Sequence, residues 1–143
     1  MPDPLDLQRF VTAQQPVMDA VRRELAAGDK QTHWMWFVFP QVVGLGHSPV
    51  ARRYALRSLE EAETFLRHRV LGPRLLECTA LVNAVSGRTV HQIFGTPDDL
   101  KFHSSMTLFH RAGPHERAFS LALERYFRGG EDMATLRLLG LSS

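Results

Sequence analysis

Several features that would narrow the function of this chain are scarce or absent in its sequence. Its 143 residues include one cysteine, Cys78, so no internal disulfide can form and nothing indicates an oxidising compartment. The longest apolar stretch, Trp34 to Phe39, is far shorter than the about 20 residues that a membrane-spanning helix needs. The opening Met1-Pro2-Asp3-Pro4 lacks the basic and apolar segments of a signal peptide. We therefore expect a cytoplasmic protein with no membrane association.

The sequence also has little excess charge. Its 17 Lys and Arg residues stand against 15 Asp and Glu, a formal net charge of +2, and all basic side chains except Lys30 and Lys101 are arginines. Acidic residues interrupt most arginine-rich stretches, which is typical of solvated helix faces. The one compact basic patch is Arg52, Arg53 and Arg57. Because binding to phosphate backbones requires clustered basic residues, we do not expect a nucleic-acid partner.

The composition and the spacing of apolar residues predict an all-α fold. A chain that is 44% hydrophobic and 22% charged is an ordinary globular protein, and its length fits one domain over residues 1–143. Helix start and stop signals recur, whereas the alternation of strands hardly occurs. We expect a compact multi-helix globule of about six to eight helices with an aromatic segment in its core. The predicted helix starts are Asp6, Pro16, Ser48, Ser58 with Glu61 as a capping box, Leu71, Thr89, Thr96 and Asp132.

Both tryptophans of the chain lie in one run, Thr32 to Gln41, which also contains Phe37 and Phe39. Such bulky residues bury large areas and anchor a core. The run is too short for periodicity to decide between helix and strand, but its aromatic and β-branched content favours an extended conformation. We interpret His33 first as a core histidine with a satisfied hydrogen bond and second as a functional residue. The glycines that follow, Gly44 and Gly46, predict a tight loop or, as an alternative, an anion-binding turn.

The segment Asp98 to Thr107 is the most suggestive for chemistry. On a helix, Lys101, Ser104 and Ser105 share a face, where the lysine could activate a hydroxyl or hold a phosphate or carboxylate. The structural alternative is that the serines bond to the preceding turn and that Asp98 and Lys101 form a surface pair. Neither the histidines nor Cys78 have metal-ligand spacing, so we expect no metal and no cofactor.

Several motifs of the chain together resemble a bacterial family, domain of unknown function 1810, over roughly Leu7 to Leu139. The motifs are His33 to Gln41, Gly44-Leu45-Gly46 with Ser48, Leu71 to Leu75, Ile93-Phe94-Gly95, Asp98-Asp99 with Lys101, and Ser104 to Phe109. The resemblance implies a compact, mostly helical single domain whose biochemical role is not established. A calpastatin-like label attached to some members has no physical basis in these residues. His103 lies at a position where variation is expected, so it gains no catalytic role.

Two functional hypotheses follow from the mixture of aromatic and polar residues in the two main segments. The first is a pocket that binds or hydrolyses a small nucleotide-like or phosphorylated ligand, and it has a loose similarity to helical N-glycosidases that act on ADP-ribose-like compounds. The second is a non-catalytic helical protein-interaction module. We expect a monomer or a weak homodimer with an anionic small-molecule ligand. The predicted ligand-binding residues are His33, Trp34, Trp36, Gln41, Lys101, Ser104 and Ser105.

Overall fold

Residues 3–141, the part of the chain that the computed structural model describes, form ten helices and no sheet. The helices are α1 (Gln8–Gln14), α2 (Met18–Ala26), α3 (Met35–Val38), α4 (Pro49–Tyr54), α5 (Leu59–Arg67), α6 (Leu71–Asn83), α7 (Val90–Phe94), α8 (Asp98–Ala112), α9 (Arg117–Phe127) and α10 (Met133–Leu138). The all-α prediction is confirmed, but the expected number of helices was too low. Half of these helices have only four to seven residues, too short for a helical period to identify reliably.

Helix α8 is the centre of the domain. It packs against α5, α7, α9 and α10, while α6 packs against α2, α5 and α9. Phe102, Met106, Leu108 and Phe109 on α8 are all fully buried, and they belong to one continuous hydrophobic core. Burying each of these side chains stabilises the fold by roughly 1.5–3 kcal/mol. No helix within residues 3–141 is both long enough and apolar enough to cross a membrane.

Aromatic contacts join the tryptophan-containing run to α8. The rings of Phe39 and Phe102 meet edge to face with 5.1 Å between their centroids, and Phe94 stacks on Phe102 at 4.7 Å. The predicted extended conformation is wrong for Met35–Val38, which forms α3. Met35 and Val38 are three positions apart on this helix and both are buried, so tertiary packing overrides the β propensity of the run.

Four helices begin at residues that the sequence predicts as helix starts, and a side chain caps each of them. Ser48, Ser58, Thr89 and Asp132 each accept a hydrogen bond from the backbone N–H three residues on. Each cap satisfies a donor that the first helical turn leaves free and contributes about 1 kcal/mol. The starts of α4, α5, α7 and α10 are therefore determined by neighbouring residues in the sequence.

Other predicted helix starts were wrong. Asp6 has a φ of +51° and does not cap α1, because Asp3 accepts the backbone N–H groups of Leu7 and Gln8 instead. Two further starts are displaced, since α2 begins after Pro16 at Met18 and α8 begins after Thr96 at Asp98. The second half of the predicted capping box also differs: Glu61 accepts the backbone N–H of Arg57, at 2.7 Å, rather than that of Ser58.

Candidate functional site

A buried carboxylate on α2 positions the segment that carries the tryptophans. Glu24 is only 6% exposed and accepts hydrogen bonds from the backbone N–H groups of Gln31 (2.8 Å) and Thr32 (3.0 Å), the Thr32 hydroxyl (2.7 Å) and Trp34 Nε1 (3.0 Å). Burial acts to raise the pKa of Glu24, but the hydrogen bonds from Thr32, Gln31 and Trp34 outweigh burial and lower the pKa to about 2. Glu24 is therefore ionised at neutral pH and ties this segment to α2.

Two of the predicted ligand-binding residues lie in the core. Trp34 is fully buried, its indole N–H is bonded to Glu24, and its ring packs against Phe39. Ser105 is also fully buried, and its hydroxyl has no hydrogen-bond partner within residues 3–141. Neither residue borders a surface hollow described below. We therefore correct the prediction that Trp34 and Ser105 contact a ligand. Their side chains point inward, and both residues belong to the core.

The two lysines of the chain meet at one carboxylate. Lys30 Nζ lies 2.8 Å from Asp98 Oδ2, and its side chain is 6% exposed. Lys101 Nζ lies 3.7 Å from Asp98 Oδ1, and its side chain is 22% exposed. Each ammonium group also lies over an indole ring, Lys30 at 4.9 Å from the centroid of Trp34 and Lys101 at 5.0 Å from that of Trp36. The tryptophan-containing run and the start of α8 are thus direct neighbours.

Lys101 lies between two adjoining surface hollows. The first, which we call the tryptophan hollow, has a volume of about 250 Å³. The second, which we call the leucine hollow, has a volume of about 300 Å³. Both hollows share Lys101 and Pro97. The tryptophan hollow is lined by Lys30, His33, Met35, Trp36, Thr96, Pro97, Asp98 and Lys101. The leucine hollow is lined by Gln41, Leu45, Gly46, Pro97, Leu100, Lys101, His103, Ser104, Asp132 and Ala134.

Five of the seven predicted residues border these hollows. Trp36 and His33 line the tryptophan hollow, Gln41 and Ser104 line the leucine hollow, and Lys101 lines both. The interpretation of His33 as a core histidine was wrong. Its side chain is exposed because the adjacent indole of Trp34 takes the inward direction.

Ser104 borders the leucine hollow but has internal hydrogen-bond partners. Its hydroxyl is within hydrogen-bonding distance of the Leu100 carbonyl (3.1 Å) and Asp132 Oδ2 (3.2 Å). Asp132 Oδ2 also accepts hydrogen bonds from the backbone N–H and the hydroxyl of Thr135. These contacts match the structural alternative for the serines, in which a helical hydroxyl bonds to the preceding turn. The carboxylate that the Ser104 hydroxyl contacts, Asp132, is at the same time the N-cap of α10.

The glycines after the tryptophan run serve close packing. A Cβ atom on Gly46 would lie 2.5 Å from the Cβ of Ala51 on α4, and Gly44 has a φ of +106°, which favours glycine. The loop that they form allows α4 to approach the wall of the leucine hollow. The tight-loop interpretation therefore accounts for both glycines without an anion.

The sequence did not single out several residues that form the walls. The sequence distinguishes Lys30 only as one of two lysines in an arginine-rich chain, and this rarity is the signal that points to it. The sequence predicts Asp132 only as a helix start, and in the structure it is the N-cap of α10. Pro97 and Leu100 gave no signal, because an apolar residue that lines a hollow has the same local pattern as one that packs into the core.

Metal and thiol chemistry find no support in the described part of the chain. Between residues 3 and 141, no group of three or more His, Cys, Asp or Glu side chains is arranged to hold a metal ion. Cys78 is buried, and burial raises the pKa of its thiol to about 12. The thiol therefore stays protonated at neutral pH and serves as packing.

Comparisons with known proteins identify the family of this chain. The model of the family described as protein of unknown function (DUF1810) matches residues 4–139. The crystal structure of the conserved hypothetical protein Rv1873 from Mycobacterium tuberculosis is 58% identical in sequence, with a TM-score of 0.95, and the match covers 98% of this chain and 100% of that chain. No curated protein matches. The chain therefore belongs to the DUF1810 family of proteins of unknown function.

Proposed function

We propose that this protein binds a small ligand with an anionic group and a flat apolar part in the cleft formed by the tryptophan hollow and the leucine hollow. The observation that carries this proposal is the position of Lys101, which borders both hollows and lies over the ring of Trp36. An ammonium group at such a junction favours a phosphate or carboxylate there. Trp36 on one side, and Leu45 and Leu100 on the other, offer apolar surface to the rest of the ligand.

The charges around Lys101 leave its ammonium group available to an incoming anion. Asp98 is already paired with Lys30 at 2.8 Å, whereas its distance to Lys101 is 3.7 Å. The Lys101 side chain is also more exposed than the Lys30 side chain. A partly exposed pair at this distance contributes little to stability, so exchanging it for a ligand phosphate costs little.

The size of the cleft fits a nucleotide-like or phosphorylated metabolite. Ligand-binding clefts usually have volumes of about 300–1,000 Å³. The leucine hollow, of about 300 Å³, lies at the lower limit of that range and the tryptophan hollow, of about 250 Å³, just below it, so a ligand of this kind would have to occupy both. We propose binding and not hydrolysis by a serine nucleophile, because the hydroxyl of Ser104 has internal partners and Ser105 is buried.

A thermal-shift screen against nucleotides, ADP-ribose derivatives and phosphorylated metabolites tests this proposal. A ligand that binds only the folded protein raises Tm in proportion to the logarithm of its concentration above Kd. We expect at least one such compound, and we expect Lys101→Ala to abolish the shift while leaving Tm without ligand nearly unchanged. Arg69→Ala is the matched control, since it removes one positive charge from an exposed side chain outside the cleft. The absence of any shift across the screen would contradict the proposal.

A second function, a non-catalytic interaction module, is favoured by one observation. Large apolar side chains are exposed around the leucine hollow: Leu100, which lines it, is 62% exposed, and Met133 follows Asp132 of its wall. Leu138 and Val43 are exposed as well, and Leu138 lies against Gly44. Exposed apolar groups of this kind mark interaction sites. If this function is correct, no small ligand shifts Tm, and sedimentation velocity detects a concentration-dependent dimer that Leu100→Ser abolishes.

A further inference from the structure

A third hollow, separate from the proposed ligand cleft, lies where the start of the chain passes α4 and the link from α4 to α5. Its volume is about 480 Å³, and it shares no lining residue with the tryptophan hollow or the leucine hollow. Four arginines, Arg9, Arg52, Arg53 and Arg57, line it. We call it the arginine hollow. Its two carboxylates, Asp6 and Glu61, leave the positive charge in excess.

Arg9 gives the arginine hollow a fixed shape. Its guanidinium donates hydrogen bonds to the carbonyl oxygens of Leu5 (2.7 Å), Asp6 (2.7 Å), Arg53 (2.8 Å) and Ala55 (3.3 Å). These bonds join the residues that precede α1 to the end of α4 and the residues just after it. The wall is therefore held by backbone contacts, and Arg9 itself has few donors left for a ligand.

The other three guanidinium groups remain unpaired with carboxylates. Arg52, Arg53 and Arg57 are exposed, and within residues 3–141 none of them forms an ion pair. Arg53 lies over the ring of its neighbour Tyr54, at 5.5 Å. One oxygen of Glu61 accepts the backbone N–H of Arg57 at 2.7 Å, which fixes this carboxylate at the wall beside Arg57. Contact with Tyr54 and, to a smaller extent, the charge of Asp6 raise the pKa of the Arg53 guanidinium, but the four arginines of the hollow outnumber its two carboxylates, so net positive charge remains.

We infer that the arginine hollow binds a compact, multiply charged phosphate group of the pyrophosphate type. Guanidinium groups bind phosphate oxygens through paired, parallel N–H donors, and this geometry distinguishes them from the point charge of lysine. A group with several negative charges suits three arginines better than a single carboxylate does. The hollow is a local feature, with Asp6 and Glu61 at its wall, whereas a nucleic acid requires an extended surface free of acidic residues.

Isothermal titration calorimetry with inorganic pyrophosphate tests this inference. We expect saturable binding to the wild-type protein, weakened at least about tenfold in the double variant Arg52→Ala/Arg57→Ala. The double variant Arg67→Ala/Arg69→Ala is the matched control, since it removes the same charge from exposed positions outside the hollow, and we expect its affinity to stay within about twofold. Any pyrophosphate that the Arg52→Ala/Arg57→Ala variant still binds reports on Lys101 in the proposed ligand cleft, which separates the two sites.

A measurement on the wild-type protein keeps the inference testable if the Arg52→Ala/Arg57→Ala variant does not fold. In ¹H–¹⁵N NMR spectra, pyrophosphate should shift the arginine Nε–H signals and the backbone amides near Ala55 and Arg57 more than amides elsewhere. Equal weakening by both double variants, or shifts spread over the whole surface, would show unspecific charge attraction and overturn the inference. Oligonucleotide binding that grows tighter with strand length and resists competition by pyrophosphate would overturn it in favour of a nucleic-acid surface.

Discussion

The two lysine–tryptophan pairs around Asp98 have the same components but different surroundings. Lys30 and Trp34 lie inward, where the lysine side chain is 6% exposed and pairs with Asp98 at 2.8 Å. Lys101 and Trp36 lie at the surface between two hollows, where the lysine side chain is 22% exposed and its distance to Asp98 is 3.7 Å. Nearly the same cation–indole distance, 4.9 and 5.0 Å, occurs in both pairs.

The inner pair, Lys30 and Trp34, stabilises the fold, whereas the outer pair, Lys101 and Trp36, can contact a ligand. The inner tryptophan is bonded to Glu24, and the inner lysine also donates to the Thr32 carbonyl at 2.6 Å, so each polar group there has an internal partner. The outer lysine has one long ion pair and one indole face, and both are accessible to solvent from the hollows. Asp98 joins the two pairs and is neutralised mainly from the inner side.

The largest effect that distinguishes the inner region is expected from Glu24→Gln. A glutamine offers one oxygen where the carboxylate accepts four hydrogen bonds, and its NH₂ group faces backbone donors, so buried groups lose their partners. We expect the free energy of unfolding to fall by about 3 kcal/mol. Urea denaturation measures this change, and Glu124→Gln, at an exposed position on α9, should change stability by less than about 0.5 kcal/mol.

The pH dependence of stability tests the same carboxylate without a change in packing. The pKa of Glu24 is about 2 in the folded protein, against 4.5 for an unperturbed glutamate, so folding favours the ionised form. The stability from this shift, about 3 kcal/mol, is fully present above pH 4.5 and is lost as pH falls towards 2. The difference in unfolding free energy between wild type and Glu24→Gln should therefore shrink between pH 5 and pH 3, by roughly half. A difference that stays constant over this interval contradicts the lowered pKa.

Replacing each tryptophan by phenylalanine compares the two indole groups directly. Trp34→Phe removes the buried N–H donor to Glu24 and leaves a void, so we expect a loss of about 2 kcal/mol in unfolding free energy. Trp36→Phe changes a partly exposed ring at the hollow, and the expected loss is below about 1 kcal/mol. Urea denaturation of both variants measures the contrast. Equal losses would mean that the outer indole is as much a part of the core as the inner one.

The smallest expected effects come from replacing each lysine by methionine, which removes the charge and keeps the length. Lys30→Met leaves Asp98 with only its long contact to Lys101, and we expect a loss of about 1–2 kcal/mol. Lys101→Met should cost less than about 0.5 kcal/mol, because its pair is partly exposed. Thermal or urea unfolding in low and high salt measures both changes. The reverse order of effects would assign the structural role to Lys101 and contradict its availability for a ligand.

Short-range chemistry explains which parts of the fold were predictable. The sequence predicts Ser48 and Ser58 as caps and Thr89 and Asp132 as helix starts, and all four side chains accept the backbone N–H three positions on. The conformation of Trp34 to Phe39 was not predictable, because packing against α8 selects a helix there against the local propensity. The predicted start of α1 is wrong for a related reason. The backbone N–H groups of Leu7 and Gln8 donate to Asp3, which precedes the predicted cap Asp6 in the chain.

The residues of the candidate site were likewise predictable only in part. Five of the residues that the sequence predicts as ligand contacts border the two hollows: Lys101, Trp36, Gln41, Ser104 and His33. The sequence also selected Trp34 and Ser105, which are buried, because residue type and spacing do not state which side of a short helix or loop faces the interior. Lys30 was missed because its relation to Asp98 is set by the meeting of two segments that are far apart in the chain.

The sequence by itself determined the helical class, the family membership and the starts of several helices, because these depend on apolar spacing, specific motifs and local hydrogen bonds. Only the tertiary structure decided that two lysines share one carboxylate, that one tryptophan is inner and the other outer, and that four arginines but only two carboxylates line one hollow. Burial and distance set the strength of each of these interactions, and both arise only when remote segments pack together.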